Sequence, residues 1–170
     1  MSSAGTSTTS VAGGLYLLFQ LGEDRYALDV HEVVEVLPLR RLKQVPEAPP
    51  WVAGVFEHRR RVIPVLDMSQ RVLKRPAHVR NSTRLVLVRF DGRLGEASPV
   101  LGLILEHATD TLRLSPDAFQ ASGLEGGQAA YLGPVQPSAQ GLIQRIEVAS
   151  LLDDALRALL FQPAEQGATR

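Results

Sequence analysis

Four histidines, His31, His58, His78 and His107, are the side chains of this 170-residue chain best suited to proton transfer or metal ligation. Their spacing supports neither. No HxH or HExxH pattern sets two of them on one face of a strand or helix, and no cysteine is present to complete a ligand set. The lack of cysteine also removes disulfides and a thiolate nucleophile, and it fits a reducing compartment. Several serines cluster near the amino terminus, and none stands in a G-x-S-x-G elbow. No glycine-rich loop follows a strand and opens a helix, and Gly126-Gly127 reads as flexible loop. No catalytic residue, metal ligand or cofactor site is expected.

What remains is binding chemistry. Residues 40–80 hold ten of the eighteen Lys and Arg, against only Glu47, Glu57 and Asp67 among the acids, so a basic middle lies between acidic flanks at zero net charge. Such a chain is suited to meeting other charged surfaces. The run Arg59-Arg60-Arg61 has three readings: a solvated turn, a nucleic-acid contact, or an anchor for a protein partner. Arginine favours the last because its planar fork grips carboxylates in two places. Zero net charge, no RNA-binding signature and only Trp51 and Phe56 as nearby stacking groups count against nucleic acid, although a small β-barrel nucleic-acid binder or enzyme built on 40–80 is the alternative. Glu35 either pairs with Arg59 or contacts a partner. Asp67 is either a functional acid or the N-cap of a short helix over 68–74. Val33, Val34, Leu85 and Val86 are either core or an exposed docking strip.

These residues sit among many short apolar runs. The hydrophobic fraction is 45% with 5% aromatic, so the core must rest on Val, Leu and Ile. Leu15–Leu21 and Arg25–Asp29 read as a hairpin about Gly22-Glu-Asp24. Val30–Val36 reads as a helical turn or as strand. Pro46–Pro50 is loop, and Trp51–Phe56 and Arg61–Leu66 are strands about a tight turn at 57–60. Pro64 argues for an edge or bulged position. Residues 76–82 make a plausible boundary between two halves. Thr83–Phe90 and Val100–Leu105 are strands joined by a loop over 91–99, followed by a further strand at Thr109–Leu114. Ser115-Pro-Asp117 resembles a helix start, and 123–127 is flexible loop. Ala130–Val135 and Gly141–Ile146 form a last hairpin, and helical spacing of leucines predicts a helix over Val148–Phe161. Residues 1–13 and 162–170 read as disordered tails, and the start carries no signal peptide. No apolar run approaches the roughly 20 residues of a membrane helix.

The segment Pro49–Met68 resembles the hallmark of CheW-like chemotaxis coupling domains: a proline-rich entry, a Gly-Val strand, an Asn-Leu-Arg-Gly turn and a strand ending in Pro-Val-x-Asp-Leu. Gly54, Val55, Arg59, Pro64, Val65 and Asp67 match. Val33-Val-Glu-Val36 and Gly102-Leu-Ile-Leu-Glu106 resemble further family strands, so the likeness covers about residues 14–160. Glu57 and His58 replace the usual Asn-Leu, Arg60 the usual Gly, Met68 the usual Leu, and Glu106 the usual Asp. The resemblance implies a mostly β fold of two five-stranded SH3-like barrels packed about a shared apolar interface, with a C-terminal helix. It implies a non-enzymatic adaptor in the cytoplasm, recruited to membrane receptor arrays. Its partners would be a chemoreceptor signalling tip, held in a groove between the barrels, and the regulatory domain of a CheA-type histidine kinase, with other CheW-like domains as further candidates. Val33, Glu35 and Arg59 fall at positions of partner contact, and Leu85 and Val86 in the strand that would line the groove.

Overall fold

The computed structural model describes residues 14–90, 99–123 and 129–161. Both expected tails, nearly all of the 91–99 loop and residues 124–127 lie outside these. β1 (Gly14–Leu21) and β2 (Asp24–Asp29) pair antiparallel about Gly22-Glu23, where Gly22 supplies a φ of 67°. Val30–Glu32 is one 3₁₀ turn, begun by the Asp29 carboxylate accepting from the His31 N–H, and β3 (Val33–Leu37) follows, so both readings of this segment apply in turn. β4 (Val52–His58), β5 (Arg61–Asp67), α1 (Met68–Leu73), β6 (Arg84–Arg89), β7 (Val100–Leu114), β8 (Leu132–Ser138), β9 (Gly141–Ile146) and α2 (Asp154–Leu160) complete the chain.

Two sheets share one strand. β1, β2, β9, β8 and the second half of β7 form a terminal barrel. β3, β6, the first half of β7, β5 and β4 form a central barrel. The two strands expected at 100–105 and 109–114 are thus one 15-residue strand. It passes from sheet to sheet at His107, whose φ of 54° marks the bend, beside a register shift opposite Leu18–Gln20. The boundary expected at 76–82 is displaced for the same reason: that segment joins α1 to β6, and both β5 and β6 pair with β7 in the central barrel. The chain changes barrel at 30–32 and along β7.

Neither ladder closes fully. In each barrel one isolated bridge, made by the segment after an edge strand (β3 or β7), spans the gap. Lys43 exchanges two 2.8 Å hydrogen bonds with Val55 of β4, and Gln120 exchanges bonds of 2.7 and 2.8 Å with Val135 of β8. Two motif residues follow from the first bridge. Gly54 lies under it at φ 147°, and a Cβ there would stand 2.5 Å from the Lys43 carbonyl oxygen. Val55 spends both backbone groups on Lys43, so Pro64, opposite Val55, deprives the ladder of nothing. β5 is accordingly an interior strand, flanked by β4 and β7, rather than an edge.

Twenty buried residues between the sheets form the main core, with smaller clusters of seven inside the central barrel and five inside the terminal one, among the described residues. β1 and β6 therefore bury both faces. Leu17, Phe19 and Leu21 face the shared core while Tyr16 and Leu18 face the terminal barrel. Arg71 of α1 clamps the joint from outside. Its guanidinium lies 4.0 Å from the Trp51 ring centre and 4.2 Å from that of Tyr131, and it donates to the Leu151 carbonyl. The helix expected over 148–161 is broken into a 3₁₀ turn, Val148–Ser150, and α2. The break is chemical: the Asp153 carboxylate accepts from Leu156 N at 2.8 Å and starts a new helix there. Asp67 caps α1 in the same way, accepting from Gln70 N at 3.1 Å, and its second oxygen takes Ala77 N at 2.9 Å. At 115–117 the expected helix start is a 3₁₀ turn over Pro116–Ala118 with Pro116 first, and the Ser115 side chain makes no cap bond.

Candidate docking site at the mouth of the central barrel

The β4–β5 hairpin turns on two residues, Arg59 and Arg60, with φ of 52° and 68°. Positive φ at both central positions is what a type I′ hairpin turn requires, and Asn-Gly is its usual sequence. The hairpin thus takes this turn with Arg60 at the position where glycine is usual. Glu57 and His58 belong to β4, so the turn is shorter than the 57–60 expected from sequence.

On the facing strand, β3, Glu35 shares the inward side with Leu37, which is buried in the central barrel. Its carboxylate receives three contacts. His58 Nε2 lies 3.0 Å from Oε1, Arg59 Nε donates to Oε1 at 3.3 Å, and Arg59 Nη2 donates to Oε2 at 3.3 Å. The hydrogen bonds from His58 first, and Arg59 second, hold the Glu35 carboxyl below the usual carboxylate range. β3 and β4 are the two edges left by the incomplete ladder, so this cluster fastens one end of the seam and the Lys43–Val55 bridge the other.

Behind the cluster lies a hollow of about 340 Å³, lined by Val34, Ile63, Leu87 and Val100 and rimmed by Glu35, His58, Arg59 and Arg61. Val34 and Val36 of β3 and Val62 of β5 are exposed beside it. An apolar floor with a charged rim is the form of a protein hot spot. A second hollow, of about 600 Å³, opens at the joint between the barrels. Trp51, Arg71, Ala130, Leu152, Asp153 and Leu156 line it.

Of the residues singled out in the sequence, Glu35 and Arg59 meet here, and Val33 stands beside them in β3, half-buried against the shared core. Leu85 and Val86 do not contribute. Leu85 is 1% exposed in the central barrel and Val86 is fully buried in the shared core, because β6 is covered on both faces. Sequence reasoning missed His58, Ile63, Leu87 and Val100 as site residues. β5 is buried without alternation from Ile63 to Asp67, so no pattern marked Ile63, and Leu87 stands in the same unbroken apolar run as Leu85.

Glu106, flagged as a departure, is structural. It is 5% exposed and accepts from Ser69 Oγ at 2.7 Å, Arg75 Nη1 at 2.8 Å and His78 N at 3.0 Å. Burial alone would raise its pKa, but the bonds from Arg75, Ser69 and the His78 backbone outweigh it and hold the carboxyl at about 2. Among the described residues no group of His, Asp and Glu is placed to hold a metal ion, and no helix is long and apolar enough to cross a membrane.

Two five-stranded halves that share β7, with an ion-paired hairpin turn before an apolar-floored hollow, define a mostly β module of two interlocked parts. The sequence signature of the CheW-like domain matches residues 15–156, and the chain belongs to that family. It is 32% identical over 143 residues to the protein FrzA of Myxococcus xanthus, covering 82% of this chain and 86% of that protein. It is 25% identical over 112 residues to the chemotaxis protein CheW of Treponema pallidum (strain Nichols), covering 63% and 66%. The crystal structure of the scaffolding protein TtCheW from Thermoanaerobacter tengcongensis shares the fold, with a TM-score of 0.73 over 88% of this chain and 94% of that one at 18% identity.

Proposed function

We propose that this chain is a non-enzymatic coupling scaffold of a chemosensory system, joining a chemoreceptor signalling tip to the regulatory domain of a CheA-type histidine kinase in the cytoplasm beneath a receptor array. The observation that carries this reading is the mouth of the central barrel, where the Glu35–His58–Arg59 cluster fronts an apolar hollow. A scaffold must hold two partners at once, and the hollow at the barrel joint supplies a second, separate surface. The work of such a protein is binding free energy and geometry, and transient signalling interfaces of this type can be small. Domains of the same family are further candidate partners.

The test is co-purification of the full chain with a receptor signalling tip and with a kinase regulatory domain. Complexes with both at tens of micromolar, and a ternary complex when all three are mixed, are expected. Binding to neither refutes the reading.

A further inference from the structure

The first passage from the terminal to the central barrel is the three-residue turn Val30–Glu32. Val30, its first residue, and Val33, the residue after it, pack against the shared core. Most of the turn's polar groups are tied down. Asp29 accepts from His31 N at 2.9 Å and meets His31 Nδ1 at 3.1 Å, and Arg89 of β6 donates to the His31 carbonyl at 2.9 Å. Glu32 is the exception, for its Oε1 is buried without a hydrogen-bond partner. The groups that act on it or stand around it are Asp29 at the end of β2, Arg145 in β9 and Glu147 just after, with the phenol of Tyr16 on β1 set among the same charges. The single guanidinium is divided: Arg145 Nη2 lies 4.0 Å from Asp29 Oδ2, and Nε lies 3.7 Å from Glu147 Oε2. The arginine's two ion-pair contacts thus go to Asp29 and Glu147, and the buried Glu32 Oε1 beside them has no hydrogen-bond partner. Burial first, then Asp29, pushes Glu32 up to about 7 against the opposing pull of Arg145.

We propose that Glu32 is a proton-operated joint between the barrels: as a neutral acid it lets the crossover seat against the core, and its ionisation loosens the turn and displaces β3. Because β3 carries Val34 and Glu35, the joint regulates the docking mouth, a consequence that rests on the adaptor reading; the titration itself does not. The sign follows from linkage. An acid whose folded pKa is raised favours the fold below its ordinary range, so stability falls as pH rises from about 4.5 to about 7 and is constant beyond.

The test is an NMR titration of the Glu32 side-chain carboxyl in the full chain, with the Val33–Leu37 amides followed in parallel. A midpoint near 7 is expected, with the β3 amides moving at the same midpoint, and with the folding equilibrium constant dropping roughly tenfold or more between pH 5 and 8. Glu32→Gln should abolish all three effects, and Glu147→Gln, which keeps Glu32, should lower the midpoint. A Glu32 midpoint in the ordinary carboxylate range overturns the proposal. So does a β3 response that survives Glu32→Gln, the signature of a histidine acting on Glu35 instead. Failure of partner binding would leave this titration unchanged, so the two readings fail separately.

Discussion

At the scale of single residues, three positions carry backbone or charge costs that can be measured. Arg60 occupies a left-handed conformation at φ 68° where the family uses glycine. Arg60→Gly is therefore expected to raise stability by about 0.5–1 kcal/mol, read as a shift in urea midpoint. Gly54 is the converse. A methyl group at φ 147° would meet the Lys43 carbonyl oxygen, so Gly54→Ala should cost about 2 kcal/mol or more and open the bridge to Val55. Glu106 gives a pH signature. Its folded pKa of about 2 lies below the ordinary 4.5, so its contribution is fully present above pH 4.5 and is lost as pH falls toward 2. At about 1.4 kcal/mol per pH unit this is on the order of 3 kcal/mol. Urea midpoints collected from pH 6 to 2.5 should fall steeply below pH 4.5, and Glu106→Gln, expected to cost roughly 2–4 kcal/mol at neutral pH, should flatten that fall. The sequence offered Asp67 as a cap because Asp is a preferred N-cap and a short helix followed it. It left Glu35 open between Arg59 and a partner because the pair is separated by 24 residues on different strands. The Glu106 network was hidden for the same reason: Ser69 and His78 come from a helix and a loop 37 and 28 residues upstream.

At the scale of elements, β7 ties the two barrels into one cooperative unit. A strand that pairs with β5 and β6 at one end and β1 at the other cannot lose half its partners independently. The shared core, larger than either barrel interior, adds to this. Unfolding followed by Trp51 fluorescence and by far-ultraviolet circular dichroism should therefore give one coincident transition; two separated transitions would contradict it. The apolar runs announced the strands, since each run had to be strand to bury itself. They did not announce which face was buried. In β6 an unbroken run, Leu85-Val-Leu-Val88, signals cover on both sides, which favours core over docking strip for Leu85 and Val86. The bend at His107 and the closing bridges at Lys43 and Gln120 are backbone events with no side-chain signature. The split of the last helix was legible in principle, because Asp153 precedes α2 at the position of a cap.

At the scale of the whole molecule, charge is polarised. Described residues 33–105 hold twelve Lys and Arg against four Asp and Glu, whereas the other described residues hold four against ten. The central barrel thus presents a positive face around Arg59 and Arg61, suited to steering a partner that carries carboxylates. Association at this mouth should slow as salt is raised from 50 to 500 mM, in stopped-flow measurements, while dissociation changes less. The Glu35–Arg59 pair itself is solvent-facing, with 73% of the arginine side chain exposed, so water screens it and it adds little to the fold. Its loss should therefore appear in binding and not in stability. The most direct measurement is NMR mapping of the chain titrated with a CheA-type kinase regulatory domain, repeated for Arg59→Glu. Shift changes centred on Val34, Glu35, His58, Arg59 and Val100, with affinity reduced tenfold or more in the folded variant, are expected. Changes confined to other surfaces, or unaltered affinity in Arg59→Glu, would contradict docking at this mouth.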